Sequence, residues 1–335
     1  MADALSETQE NSIENTQSRN IPFEFRGDGL EYFKIWIVNI LLTILTLGIY
    51  SAWATVRNRR YFYSNTYLNG DSFAYLAEPL QILKGRIIAV AIFIAVSFLF
   101  YTSPILSFLL IILSVFVTPY IFNASRSFQL RNTAYKNIQF RFNGTYGAAF
   151  EVLVVFPLLT ITTLGIFYPV AVKELNKYTV GKSAYGATQF EFNATAKEYY
   201  MIFFHLVGLG VLCLILSLIL GSSFVFLLPF VYVGAYLYWF VATANLFYAR
   251  STLAKHGFEA NITLSGYAMV LLTNLLLIVL TLGLYHAAAK VRMAKYFCSC
   301  IEMKVDGSLE DFTAAEKENV SALGEQLGDV FDFAS

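Results

Sequence analysis

The chain has 335 residues, of which 57% are hydrophobic and 14% charged, well below the roughly 25% charged content of soluble domains. That composition excludes an ordinary soluble globular protein. Three cysteines, Cys213, Cys298 and Cys300, fit no disulfide framework.

Charge is divided along the chain. Residues 1–31 hold seven acids and two bases, and residues 302–335 hold nine acids and two bases, so the balance between them is strongly basic. Residues 1–21 read as an acidic, solvated tail without the basic and apolar regions of a cleavable signal peptide. Phe23-Glu24-Phe25-Arg26-Gly27 then alternates with period 2 and ends on glycine, the pattern of a strand and turn. Asp28 is a helix N-cap with Glu31 three residues on. The apolar segment Phe33–Val56 follows, interrupted by Thr46-Leu47-Gly48-Ile49-Tyr50.

Arg57, Arg59 and Arg60 follow that segment. Such a cluster attracts anionic lipid headgroups, but an orientation signal at a helix end is the plainer reading. After a second alternating run at Phe73 come Ile87–Tyr101 and Ile105–Phe122, each charge-free and about one bilayer crossing long. The order then recurs: alternation at Phe140, apolar Gly147–Val172, alternation at Phe190, then Met201–Leu220 and Phe224–Phe247. A third, shorter round has alternation at Phe258 and apolar Ser265–Ala289.

The recurrence is specific. Thr46-Leu47-Gly48 returns as Thr163-Leu164-Gly165 and Thr281-Leu282-Gly283, with the glycines 117 and 118 residues apart. Twelve residues beyond each glycine stands a base followed by tyrosine: Arg60-Tyr61, Lys177-Tyr178 and Lys295-Tyr296. The reading is an all-α polytopic membrane protein with short cytoplasmic strands. Its parts are tail 1–21, repeat 22–139, repeat 140–257, truncated repeat 258–305 and acidic tail 306–335.

Two arrangements compete. Seven crossings would divide the related strands and the basic loops between two compartments. Alternatively, the three Thr-Leu-Gly segments reverse within the membrane at Gly48, Gly165 and Gly283. The positive-inside rule favours the second, with both termini cytoplasmic.

Chemistry is sparse. Asn39 and Asn274 occupy matched positions, and with Glu151 and His205 they are the candidates for a polar path. Interhelical bonding by the amides, an interfacial place for Glu151 and a structural hydrogen bond for His205 are the plainer readings. Cys298-x-Cys300 near His286 and His256 has the wrong spacing for structural zinc. The three Asn-x-Thr triplets at Asn143, Asn193 and Asn261 read as turns. The many tyrosines and phenylalanines suit interfacial belts better than nucleotide stacking, so no nucleic-acid partner is expected. With no phosphate loop, dinucleotide fingerprint or nucleophile elbow, neither a cofactor nor a catalytic residue is expected.

The strand at Phe23, Leu45-Thr46-Leu47-Gly48-Ile49-Tyr50-Ser51-Ala52-Trp53 and Arg57-Asn58-Arg59-Arg60-Tyr61-Phe62 resemble the bacterial YjgN family of multi-pass inner-membrane proteins over residues 22–305. The second round departs from it, with Glu174 for Arg57 and Val170 for Trp53. The resemblance implies an inner-membrane location and supplies no catalytic residues. The functional expectation is a transporter or channel for a small solute or lipid. The alternatives are a non-catalytic scaffold and, least favoured, an enzyme acting on lipid.

Overall fold

The computed structural model describes residues 19–332. In chain order, β1 (Arg19–Phe25) leads into α1 (Gly29–Leu45) and α2 (Ser51–Ser64), then β2 (Thr66–Leu68) and β3 (Asp71–Tyr75). Next come α3 (Pro79–Thr102), α4 (Pro104–Arg131), β4 (Thr133–Tyr135) and β5 (Ile138–Phe142). The third stretch has α5 (Tyr146–Phe150), a π-helical turn over Glu151–Val155, α6 (Phe156–Thr162), α7 (Tyr168–Gly181), β6 (Ser183–Tyr185) and β7 (Thr188–Phe192). Then follow α8 (Ala196–Leu220), α9 (Leu228–Ala249), β8 (Ser251–Leu253), β9 (His256–Ala260), α10 (Leu264–Leu280), α11 (His286–Cys300), β10 (Ile301–Val305) and α12 (Leu309–Asp332).

Local chemistry explains each boundary. Strands hand over to helices at five caps, Asp28, Glu78, Thr145, Thr195 and Thr263, all in extended conformation. Helices hand back to strands at Thr66, Thr133, Ser183 and Ser251, whose hydroxyls donate to carbonyls four residues earlier at 2.6–2.9 Å. Two-residue turns join the strand pairs, with Asn69 and Gly70 both at positive φ, as are Lys136 and Asn137.

The ten strands close into one antiparallel barrel in the order β1-β10-β9-β8-β7-β6-β5-β4-β3-β2. Closure depends on β1, whose first half pairs with β10 (Ile21↔Met303) and second half with β2 (Phe23↔Leu68). The all-α assignment is therefore wrong: a closed sheet organises the helices. Five of its strands escape a sequence reading because three residues are too few to show alternation, and β10 adjoins a helix without a break.

Antiparallel pairing then sets the topology. Each odd-numbered strand from β1 to β9 ends on the rim where the next strand begins, so all five helical hairpins rise from one rim. The four tight turns and α12 lie at the other. Seven crossings would put Phe142 and Ser183 on opposite sides of a bilayer, yet they are register partners. Both ends of every helical hairpin return to the same side.

The hairpins have two heights. Four helical segments of 22 to 31 residues, α8 being counted through the 3-10 helix Gly221–Phe226 that continues it, are long and apolar enough to cross a membrane and make up the α3–α4 and α8–α9 hairpins. By contrast, α1 has 17 residues and α2 has 14, about 25 and 21 Å at 1.5 Å per residue. Their reversal is built by Thr-Leu-Gly. Leu47 and Gly48 have φ of 49° and 92°, Gly48 N–H donates to the Thr43 carbonyl, and the Thr46 hydroxyl accepts from Tyr50 N–H. The same bonds recur around Gly165 and Gly283. The tip leucines Leu47, Leu164 and Leu282 are 94–95% exposed.

The acidic stretch 306–335 contains α12 over its described part. Leu309, Phe312, Thr313, Glu316 and Val320 fall on one helical face, and α12 lays that face across the barrel mouth.

Candidate functional site

Inside the barrel, Phe23, Phe73, Phe140, Phe190 and Phe258 hold equivalent places on β1, β3, β5, β7 and β9. Neighbouring ring centroids are 6.3 Å apart for Phe23–Phe73, Phe140–Phe190 and Phe190–Phe258, within the range of favourable aromatic pairs. The rings line a cavity of about 590 Å3 that continues past the barrel rim between the helices. There its wall is Phe122, Arg126 and Leu130 of α4, Leu175, Asn176 and Thr179 of α7, and Phe247 and Tyr248 of α9. A second cavity of about 430 Å3 shares Asn176, Phe247 and Tyr248 and extends towards Phe297 of α11.

The floor is sealed. Tyr135 donates to the Leu68 carbonyl at 2.7 Å and Tyr185 to the Tyr135 carbonyl at 3.0 Å. Burial pushes both phenols well above their ordinary value, so they remain neutral donors. Beneath them Phe312 of α12 stacks on Tyr185 at 6.2 Å and meets His256 edge-on at 4.9 Å. The buried Glu316 carboxylate accepts from Ala187 N–H (2.7 Å), Thr188 N–H (3.3 Å) and the Thr188 hydroxyl (2.5 Å). His256 is buried, and burial holds its pKa below the ordinary value against the opposing pull of Asp306. Its Nδ1 accepts from Asp306 N–H at 3.2 Å.

The recurring tyrosines are latches. Tyr61 donates to the Asp28 carbonyl, Tyr178 lies 3.2 Å from the Thr145 carbonyl, and Tyr296 donates to the Thr263 carbonyl. Each ties the end of a short hairpin to its start. Asn123 and Asn245 add the long hairpins, donating to the Thr145 and Ile262 carbonyls. These five residues fix the helical layer on the barrel rim.

The polar-path candidates are not brought together, and none lines either cavity. Asn39 donates to Asn58 at 2.9 Å, and Asn274 bridges the Ala289 carbonyl and Arg292, so both knit the arms of their own hairpins. Glu151 is exposed at the start of the π turn. His205 is exposed and pairs with the Tyr238 hydroxyl at 3.0 Å. Of the arginine cluster, Arg59 donates to the Tyr75 hydroxyl and Arg60 to the Ala77 carbonyl, bracing the β3–α3 corner, while Arg57 is exposed. Sequence reading missed the phenylalanine ring as a site, although the shared strand position of its members was visible. Arg126 and Glu316 carried no sequence signal of their own.

Known proteins agree with a membrane setting. The chain is 24% identical to "Inner membrane protein YjgN" of Salmonella typhimurium (strain LT2) over 374 residues, covering 92% of this chain and 94% of that protein. It is 31% identical to the protein of the same name from Escherichia coli O157:H7 over 156 residues, covering 46% of this chain and 39% of that protein. No solved structure matches. The match to the family described as "Bacterial protein of unknown function (DUF898)" spans residues 20–330, and the chain belongs to that family.

Proposed function

We propose that this is a multi-pass inner-membrane protein that takes an apolar or amphiphilic solute from the bilayer into the barrel, acting as a transporter gated by α12. The observation that carries the reading is the cavity, aromatic within the barrel and continuous with the helical layer, with a helix seated across its other mouth. Cavities of several hundred cubic ångströms with mostly apolar walls suit small-molecule binding. A scaffold that recruits partners through its acidic end is less well supported, because the described apolar face of α12 is occupied by the barrel.

On this reading the barrel and both termini face the cytoplasm. Arg60, Arg131, Lys177, Lys182 and Lys295 lie near the rim from which the helices rise, whereas the long-hairpin tips around Ser103 and Ser222 carry no charge. In intact cells, Asn137→Cys on a strand turn is expected to resist a membrane-impermeant maleimide and Ser222→Cys to react. Labelling of Asn137→Cys before permeabilisation would reverse this orientation.

Transport is tested in vesicles. Proteoliposomes carrying a fluorescent single-chain lipid in the inner leaflet are expected to lose signal to an external quencher faster than protein-free vesicles. Equal rates across a panel of chain lengths and headgroups would remove the transport reading.

A further inference from the structure

We infer that the solute is a single-chain amphiphile with an anionic headgroup, its chain among the five phenylalanine rings and its headgroup on Arg126. The inference rests on the uptake reading above and adds the chemical class and the residue that selects it.

Arg126 is the one charged side chain on the cavity wall, which includes no carboxylate among the described residues. It is half-buried, its guanidinium carbon lies 6.0 Å from the Phe122 ring centroid, and none of the ion pairs among the described residues includes it. A guanidinium drawn partly out of water beside an aromatic wall calls for an anion. The neighbouring polar groups do not replace it as donors. Thr179 donates to a carbonyl of its own helix, Ser183 and Ser251 donate to carbonyls of the helices that precede them, and Asn176 donates to Tyr199.

Shape completes the argument. Below Arg126 the wall becomes aromatic and aliphatic down to Leu309 and Phe312. The longer strands except β1 have five residues, about 17 Å along the strand at roughly 3.4 Å per residue and about 13 Å of barrel depth once strand tilt is included. A slender space closed at one end, with one cation at the other, fits one chain and one negative head.

The test uses full-length protein in phosphatidylcholine nanodiscs and the fluorescent probe 11-(dansylamino)undecanoate with its methyl ester. The acid is expected to bind at least roughly tenfold more tightly than the ester, and Arg126→Gln to remove that preference by weakening the acid far more than the ester. Arg126→Lys keeps most of the preference, which separates charge from folding. Phe190→Ala weakens both probes. Dodecanoate displaces the acid whereas acetate does not.

Equal binding of acid and ester, unchanged in Arg126→Gln, overturns the headgroup assignment and leaves uptake standing. Displacement by acetate as effective as by dodecanoate reduces the site to one for simple anions and likewise overturns the inference. Binding of neither probe removes the chamber as a solute site, and with it the uptake reading.

Discussion

In Glu316→Ala, the amide hydrogens of Ala187 and Thr188 are expected to exchange with solvent roughly 10- to 100-fold faster than in the parent protein. Both amides end on the Glu316 carboxylate, which also takes the Thr188 hydroxyl. Hydrogen bonds to a charged group contribute about 1.5–3 kcal/mol, and removing one partner leaves the others unsatisfied. The helix loses its buried polar anchor and keeps the Asn69–Glu310 hydrogen bond and the contacts of Leu309, Phe312 and Val320, so openings of the mouth become more frequent. Acid acts in the same direction through His256. Its pKa in the folded protein lies below the unfolded value of about 6.5, so the unfolded state binds the proton more readily. The stabilisation is complete above about pH 6.5 and is lost as pH falls towards the folded pKa. Protonated Nδ1 cannot accept the Asp306 amide. Exchange of the Asp306 amide, corrected for its intrinsic rate, should therefore quicken between pH 7.5 and 5.5. Rates unchanged by both Glu316→Ala and acidification would show that α12 is not the element closing the barrel.

The largest effect on stability is expected from Gly144→Ala. A Cβ there would stand 2.4 Å from a ring carbon of Phe142 and 2.4 Å from the Tyr178 hydroxyl. Neither neighbour can yield. Phe142 is buried, and Tyr178 is held by Asn123 at 2.6 Å and by the Thr145 carbonyl. Overpacking of this kind costs about 1–3 kcal/mol, a fall in Tm of roughly 2–10 °C, measurable by thermal unfolding in detergent. Gly147→Ala, three residues away, meets no atom within 4 Å and lies in helix, so it should be neutral or slightly stabilising. Tyr178→Phe should partly rescue Gly144→Ala by removing the hydroxyl from the collision. A fully stable Gly144→Ala would show that the latch is loose and that the rim junction has other supports.

Much of this was written locally in the chain. The strands β1, β3, β5, β7 and β9 carry enough alternation to be seen, each Thr-Leu-Gly contains the hydroxyl cap and the glycine its reversal needs, and Asp28, Thr145 and Thr263 announce their helices. The barrel was not legible for the same reason those elements were. Period, cap and turn signals reach a few residues, whereas pairing Ile21 with Met303 spans nearly the whole chain. Even so, a usable trace exists in the hydroxyl residues Thr66, Thr133, Ser183 and Ser251, which begin the four short strands at spacings close to those of the phenylalanines. The C-terminal helix was hidden differently. Seven acids spread through it mask the apolar face, although Leu309, Phe312, Glu316 and Val320 stand at helical spacing. Asn39 and Asn274 attracted attention as polar groups in oil, but the polarity serves each hairpin's own two arms.

Five is an odd number, and two heights cannot alternate perfectly around an odd circle. The sequence of short, tall, short, tall, short must place two low members side by side, and it does so where α11 packs against α1. The palisade is therefore lopsided, with a low stretch two hairpins wide on one side of the tall pair and one hairpin wide on the other, an asymmetry dictated by counting alone.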